Sequence, residues 1–326
     1  MNDRITAPPP PLPARDPRGH KGTFGTVAII GGCAADHPST HTAQTRMIGG
    51  PALAALAALR TGAGLARLVM PAPILDAALT TAPEATGLAL PVDNTQQVIG
   101  HEAAAVVDQL LPTAHGILIG PGLGAPDDAP GVQAAVVRTV GQEAVPVVVD
   151  ADAINALATM PDIHRDIRAS MIITPHVGEF KRLTSALGMH ASDVTASIDA
   201  QCEGACSLAA FLGCVVVLKS NATVVADAVR AWAHDQPNSA LATAGSGDVL
   251  AGVIAGLVAQ HAPRVPAILR RADDIGPTLF DLARTGVLVH AQAGATWAAS
   301  NHASGGLLAR DLLNHIPQAI ESLRTP

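Results

Sequence analysis

Apolar residues in this chain fall into short unbroken runs, separated by longer stretches where they recur at helical spacing. The runs at 27–30, 65–70, 116–119, 145–149, 171–173 and 214–218 predict strands buried on both faces. Between them, 51–60, 99–111, 131–140 and 197–212 predict helices. Another helix is expected to start near Gly178, and two more at 278–299 and 307–314. Residues 223–226 and 229–232 predict a hairpin. Pro51 suits the first turn of its helix, and TGAG at 61–64 stops that helix. Strand–helix alternation of this kind predicts an α/β protein with a mostly parallel sheet covered on both sides. Residues 37–46 are polar and expected to form a loop. Residues 1–19 are proline-rich, with PPPPLPARDPRGH, and are expected to be a flexible or loosely draped tail. Residues 20–326 are expected to form a single domain.

The stretch at 238–260, NSALATAGSGDVLAGVIAGLVAQ, joins a glycine-bearing loop to a strongly apolar helix. The first amides of a helix have no internal partners, and the helix dipole adds partial positive charge there. Such a junction accepts anions, above all phosphate. Asp248 at its mouth has two readings: it caps the helix, or it acts as a base on a hydroxyl held beside a phosphate. GPGLG, DAD, TPHVGE and KSNAT all fall where strands end, so they are expected to line one crevice at the carboxyl edge of the sheet.

Composition narrows the function. With 48% hydrophobic and only 14% charged residues, the chain can bury a large core. Aromatics are 2%, so Ala, Val, Leu and Ile must fill it. A net charge of −7 argues against general nucleic-acid binding. The four cysteines, at 33, 202, 206 and 214, have neither zinc-site nor disulfide spacing and read as small buried apolar residues. No apolar run reaches the ~20 residues of a membrane span. No apolar signal core opens the chain, so a cytoplasmic protein is expected.

The order HKGTFGTVAIIGG, GGPALAALAALRTGAG, GPGLG, VVVDADAIN, TPHVGEFKRL, VVVLKSNATVVAD and TAGSGDVLAG resembles the NAD(P)H-hydrate dehydratase family, over about residues 20–316. The resemblance implies a ribokinase-like three-layer α/β/α sandwich. It also implies a reaction: ADP or ATP, with Mg²⁺, is used to phosphorylate the hydroxyl of the S epimer of NADH or NADPH hydrate. Phosphate then leaves and the reduced dinucleotide is restored. Carried over, Asp248 is the catalytic base, and the amides of Ala244, Gly245, Ser246 and Gly247 stabilise the transferred phosphoryl group. Lys219, Ser220, Asn221, Ala222 and Thr223, with Gly247, hold the nucleotide. Gly50, Gly122, Gly124 and His176 lie on the substrate side with Asp248. Glu179 holds Mg²⁺ through water or favours the helix start by its charge. Asp150 and Asp152 are expected to hold the crevice loops.

Two departures stand out. Ser220 replaces the family's usual glycine, and Gly50 its usual alanine. The segment 264–284 is longer and more charged than usual; it reads as a solvated helix and loop, with a surface insertion at a subunit contact as the alternative. The resemblance also implies a homo-oligomer, often a tetramer, and a separately encoded epimerase as partner. Two other readings compete: a ribokinase-like kinase for a vitamin-precursor alcohol, which would share the glycine loop and Asp248, and a nucleotide-binding module without turnover.

Overall fold

The computed structural model describes residues 3–34, 46–124, 129–160, 162–189, 193–262 and 277–324. Its elements run β1 (Asp3–Ile5), β2 (Thr26–Ile30), α1 (Gly49–Arg60), β3 (Leu65–Pro71), α2 (Ala72–Thr81), β4 (Thr86–Leu90), α3 (Gly100–Leu110) and β5 (Gly116–Ile119). They continue with α4 (Pro130–Val140), β6 (Val147–Val149), α5 (Asp152–Ala158), β7 (Met171–Ile173), α6 (Val177–Ala186), α7 (Ile198–Leu212) and β8 (Val215–Leu218). The last are β9 (Thr223–Ala226), β10 (Arg230–His234), α8 (Ser246–His261), α9 (Leu279–Asn301), α10 (Ala309–Leu312) and α11 (Ile316–Glu321).

The ten strands form one sheet in the order β1-β10-β9-β8-β7-β6-β5-β2-β3-β4. Only β9 runs against its neighbours, as the expected hairpin requires. Strand residues alternate between two cores. Val27 and Ile29 face the layer built by α1, α2, α8, α9, α10 and α11. Ala28 and Ile30 face the layer of α3 to α7. This is the expected three-layer α/β/α sandwich, and it explains why the strands are apolar on both faces. The chain leaves β2 toward β3 and β4, then returns to place β5 on the other side of β2. The switch point is therefore between β2 and β5, where open α/β sheets bind ligands.

α8 is apolar all round because it lies between the sheet, α1 and α9. Its approach to α1 is close: a Cβ at Gly252 would lie 2.3 Å from the Ala54 carbonyl oxygen. Small residues on both helices bring their N-terminal ends together at the sheet's carboxyl edge.

The N-terminal segment is tied down more firmly than its composition implies. β1 pairs in parallel with β10, and Leu12 is 1% exposed, with its amide donating to the Leu323 carbonyl at 2.7 Å. The buried Arg284 donates to the Ala7 carbonyl, and the Arg15 guanidinium sits 3.5 Å over the Phe24 ring. Proline keeps this segment extended but does not prevent docking through the residues between prolines. α2, β4, α5 and α11 also go beyond the predicted elements, and α10 is shorter than the helix expected at 307–314. Residues 37–45 of the expected polar loop and 264–276 of the charged segment lie outside the described residues. Among the described residues, no helix is long and apolar enough to cross a membrane.

Candidate active site

The start of α8 has the expected geometry. Gly245, its N-cap, has φ +86°, a left-handed conformation in which glycine is the least strained residue. A Cβ there would also meet Leu53 at 2.8 Å and Ala309 at 3.0 Å. One detail differs from expectation: the Ser246 amide already donates to the Thr243 carbonyl, at 3.3 Å. Asp248, one turn in, is partly buried, and a methyl at Gly50 would lie 2.9 Å from its Oδ1. Burial, then the neighbouring Asp150 charge, pushes the Asp248 carboxyl up to about 7, against a smaller opposing pull from Lys219. A carboxyl with that pKa can both take and return a proton near neutrality.

Beside it, Lys219 Nζ donates to Asp150 Oδ1 at 2.8 Å, and the Thr174 hydroxyl donates to the same oxygen at 2.6 Å. The Asp150 side chain is 2% exposed and that of Lys219 20%. Burial alone would lower the Lys219 pKa, but Asp150, Glu179 and Asp248 together raise it, so the ammonium stays charged. Asp152, two residues on, turns the other way. Its Oδ2 accepts from the Gly124 amide at 2.9 Å, which anchors GPGLG, and burial raises its pKa. Between the two aspartates, Ala151 has φ +49° and ψ −122°. A non-glycine residue there carries strain of about 1–3 kcal/mol. Both carboxylates hold the crevice together, as the DAD motif was expected to do.

His176 and Glu179 form a capping box at the start of α6. Nδ1 of His176 accepts from the Gly178 amide at 2.9 Å, and the His176 amide donates to Glu179 Oε2 at 2.8 Å. His176 Nε2 lies 3.3 Å from Glu179 Oε1. Nδ1 is an acceptor, so Nε2 carries the proton in the neutral ring. The His176 side chain is more than half exposed. The Glu179 carboxyl is buried, which raises its pKa. The structure thus gives Glu179 the helix-start role. Among the described residues, no cluster of three or more His, Cys, Asp or Glu is arranged to hold a metal.

A cavity of about 620 Å³ opens on the other flank of α8. Lys219, Ser220, Asn221, Thr223 and Gly247 line it, with Thr243, Ser246 and His290. Ala222 does not. It is 5% exposed, and its carbonyl accepts from Gln201 Nε2 at 2.8 Å. The same amide nitrogen reaches the Leu218 carbonyl at 3.1 Å, so Gln201 fixes the KSNAT turn from below. Gly50, Gly122 and Gly124 lie apart from this cavity, around the ends of β2 and β5. Gly122 has φ +62°, and a Cβ on it would lie 3.0 Å from Met47 Cβ.

The structure therefore brings Asp248, Lys219, Gly245–Gly247, Asp150 and Gly50 together. KSNAT lies on one flank and GPGLG on the other. Gln201 and His290 went unread in the sequence. Other polar residues stand near each, Asp199 and Glu203 around Gln201 and Gln292 beyond His290, so no local signal set them apart; their burial, at 4% and 9% exposure, does.

A family model described as NAD(P)H-hydrate dehydratase matches residues 43–318. The bifunctional NAD(P)H-hydrate repair enzyme Nnr of Thermofilum pendens is 31% identical over 320 residues, covering 98% of this chain and 54% of that protein. The chain spans about half the length of several such bifunctional relatives. The ADP-dependent (S)-NAD(P)H-hydrate dehydratase of Xanthomonas campestris pv. campestris is 31% identical over 316 residues, covering 96% of this chain and 93% of that one. Among solved structures, the ADP/ATP-dependent NAD(P)H-hydrate dehydratase from Bacillus subtilis, co-crystallised with ATP/Mg²⁺, aligns with TM-score 0.71 and 28% identity. That alignment covers 96% of this chain and 95% of that one.

Proposed function

Because the chain belongs to the NAD(P)H-hydrate dehydratase family, we propose that it uses ADP or ATP to dehydrate the S epimer of NADH or NADPH hydrate, a metabolite-repair lyase reaction. The observation that carries this reading is Asp248: a carboxyl with a pKa of about 7, at the start of α8, between the nucleotide-sized cavity and the β2/β5 switch point. The nucleotide occupies the cavity, with its terminal phosphate at the α8 N-terminus and Lys219. The hydrated ring lies over Gly50, Gly122 and Gly124, with His176 at its edge. Asp248 takes the proton of the ring hydroxyl as that oxygen bonds to the terminal phosphorus. The bond to the departing nucleotide breaks, releasing AMP from ADP or ADP from ATP. Helix amides and Lys219 hold the developing charge. Phosphate then leaves with the C–O electron pair, and a neighbouring ring carbon loses a proton to restore the double bond.

Magnesium fits this site as an ion carried on the nucleotide phosphates. Asp150, Asp152 and Glu179 are already engaged by Lys219, the Gly124 amide and the His176 amide, and carriage on phosphates is the usual way Mg²⁺ binds in nucleotide enzymes. When bound, it would neutralise phosphate charge. A homo-oligomer, a tetramer among the options, and an epimerase that supplies the S epimer complete the proposal. The test is incubation with hydrated NADH or NADPH and each nucleotide in turn. Return of reduced-nicotinamide absorbance with stoichiometric phosphate release is the expected result. Stable phosphorylation of another alcohol would point to a kinase, and tight nucleotide binding without phosphate release to a binding module. Light scattering on the purified protein reads the oligomeric state.

A further inference from the structure

His290 has no part in the mechanism above, although it lines the cavity together with Ser246 and Gly247 at the start of α8. It sits on α9, is 9% exposed, and places Nε2 3.1 Å from the Ser246 hydroxyl oxygen. Ser246 is itself 5% exposed, and both residues line the 620 Å³ cavity. A buried polar pair at an anion site, formed by helices distant in sequence, calls for a chemical reason. The Ser246 amide is engaged with Thr243, so the hydroxyl is the donor this residue can still offer.

We infer that His290 is a positioning residue: its Nε2 bonds the Ser246 hydroxyl and aims that hydroxyl, as one further donor, at the phosphoryl group in the cavity. This inference rests on the proposed function for what the cavity holds. The chemistry follows from proton counting. A neutral imidazole has one donor and one acceptor nitrogen. Burial pushes the His290 pKa down to about 4, so the ring is neutral at pH 7. If Nε2 accepts, the serine proton points at the ring and the oxygen shows only lone pairs to the cavity. If Nε2 carries the proton, it donates to Oγ, and the serine proton is free to donate onward. An incoming phosphate oxygen selects the second arrangement: Nε2–H to Oγ, then O–H to phosphate. Each donor in the chain polarises the next.

The test compares wild type with Ser246→Ala, His290→Leu, His290→Gln and the Ser246→Ala/His290→Leu double variant. Glutamine can present an amide N–H close to the Nε2 position, whereas leucine cannot. Ser246→Ala and His290→Leu are each expected to lower kcat about 10- to 100-fold, the loss of one hydrogen bond to a charged group. The nucleotide KM should change little, because the bond strengthens on the transferring group. His290→Gln should recover most of kcat, and the double variant should be no slower than the worse single variant. Multiplying losses in the double variant, no rescue by glutamine, or full activity of Ser246→Ala would overturn the inference. If His290→Leu does not fold, Ser246→Ala and His290→Gln still decide the matter. A second arm needs no turnover: the ³¹P resonance of the terminal phosphate of bound ADP should shift in Ser246→Ala and His290→Leu alike, and return with His290→Gln. An unmoved resonance in the folded variants overturns the role of His290. Absence of dehydration by the wild type would instead overturn the proposed function.

Discussion

Replacing Asp248 by asparagine tests both halves of the argument, because one substitution should weaken catalysis and strengthen the fold. Asparagine keeps the shape of the side chain and its place beside Gly50, but it cannot take a proton. Loss of a general base lowers turnover about 100- to 10,000-fold, while nucleotide binding in the adjoining cavity should persist. In the wild type, the base must be ionised. Activity should therefore rise with pH to a plateau above about 7 and fall tenfold per pH unit below it. The stability effect follows from the same group. A carboxyl raised from 3.8 to about 7 contributes stability that is fully present below 3.8, is lost progressively as pH rises from there, and is gone once pH passes about 7. At ~1.4 kcal/mol per pKa unit the shift corresponds to roughly 4 kcal/mol, and partial solvent screening reduces it to about 2 kcal/mol. The asparagine variant does not titrate. Its gain over wild type should be near zero at pH 4, grow up to pH 7 and then level off. Turnover is followed by reduced-nicotinamide absorbance and phosphate release, and stability by urea denaturation at pH 4.5 and pH 8. Turnover within threefold of wild type, or a stability gain that does not grow with pH, would refute the reasoning.

Other substitutions separate the flanks of the site. Lys219→Met leaves the Asp150 carboxylate, 2% exposed, with Thr174 as its remaining partner; it should destabilise by about 3 kcal/mol in urea titration, and calorimetry should show nucleotide binding weakened at least ~tenfold. Asp152→Ala frees the Gly124 amide and loosens GPGLG; KM for the hydrated dinucleotide should rise about tenfold with nucleotide binding unchanged, and equal losses on both would remove the division into flanks. Gly50→Ala pushes a methyl against the Asp248 carboxylate; a shift of a few tenths of an ångström should lower kcat about 3- to 10-fold, and an unchanged kcat would show that the carboxylate can move without harm.

Much of the sheet was legible because its strands are buried on both faces and so read as unbroken apolar runs. β4 was not, since Thr86, Gly87 and Ala89 at the sheet's edge are exposed and carry little apolar signal. β1 was not, because its three residues, just ahead of the prolines, gain their strand conformation from pairing with β10, more than two hundred positions away in the chain. Motif order placed these residues at strand ends that the fold gathers at one edge of the sheet, but it could not apportion them. Ala222 sits within KSNAT yet faces the core. His176 matched a substrate contact, and the structure also makes it the cap of α6. The pair Ser246–His290 depends on how α8 and α9 cross, which no local pattern encodes.

Ala151 has a consequence for how far this protein can be improved. Its unusual twist sends the carboxylates on either side of it in opposite directions, one to Lys219 and one to the Gly124 amide of the GPGLG loop. A glycine there would relax the chain and let each aspartate drift from its partner. The alanine is thus a point of local tension, and the tautness of one peptide sets the angle between the lysine at the end of β8 and the glycine loop after β5.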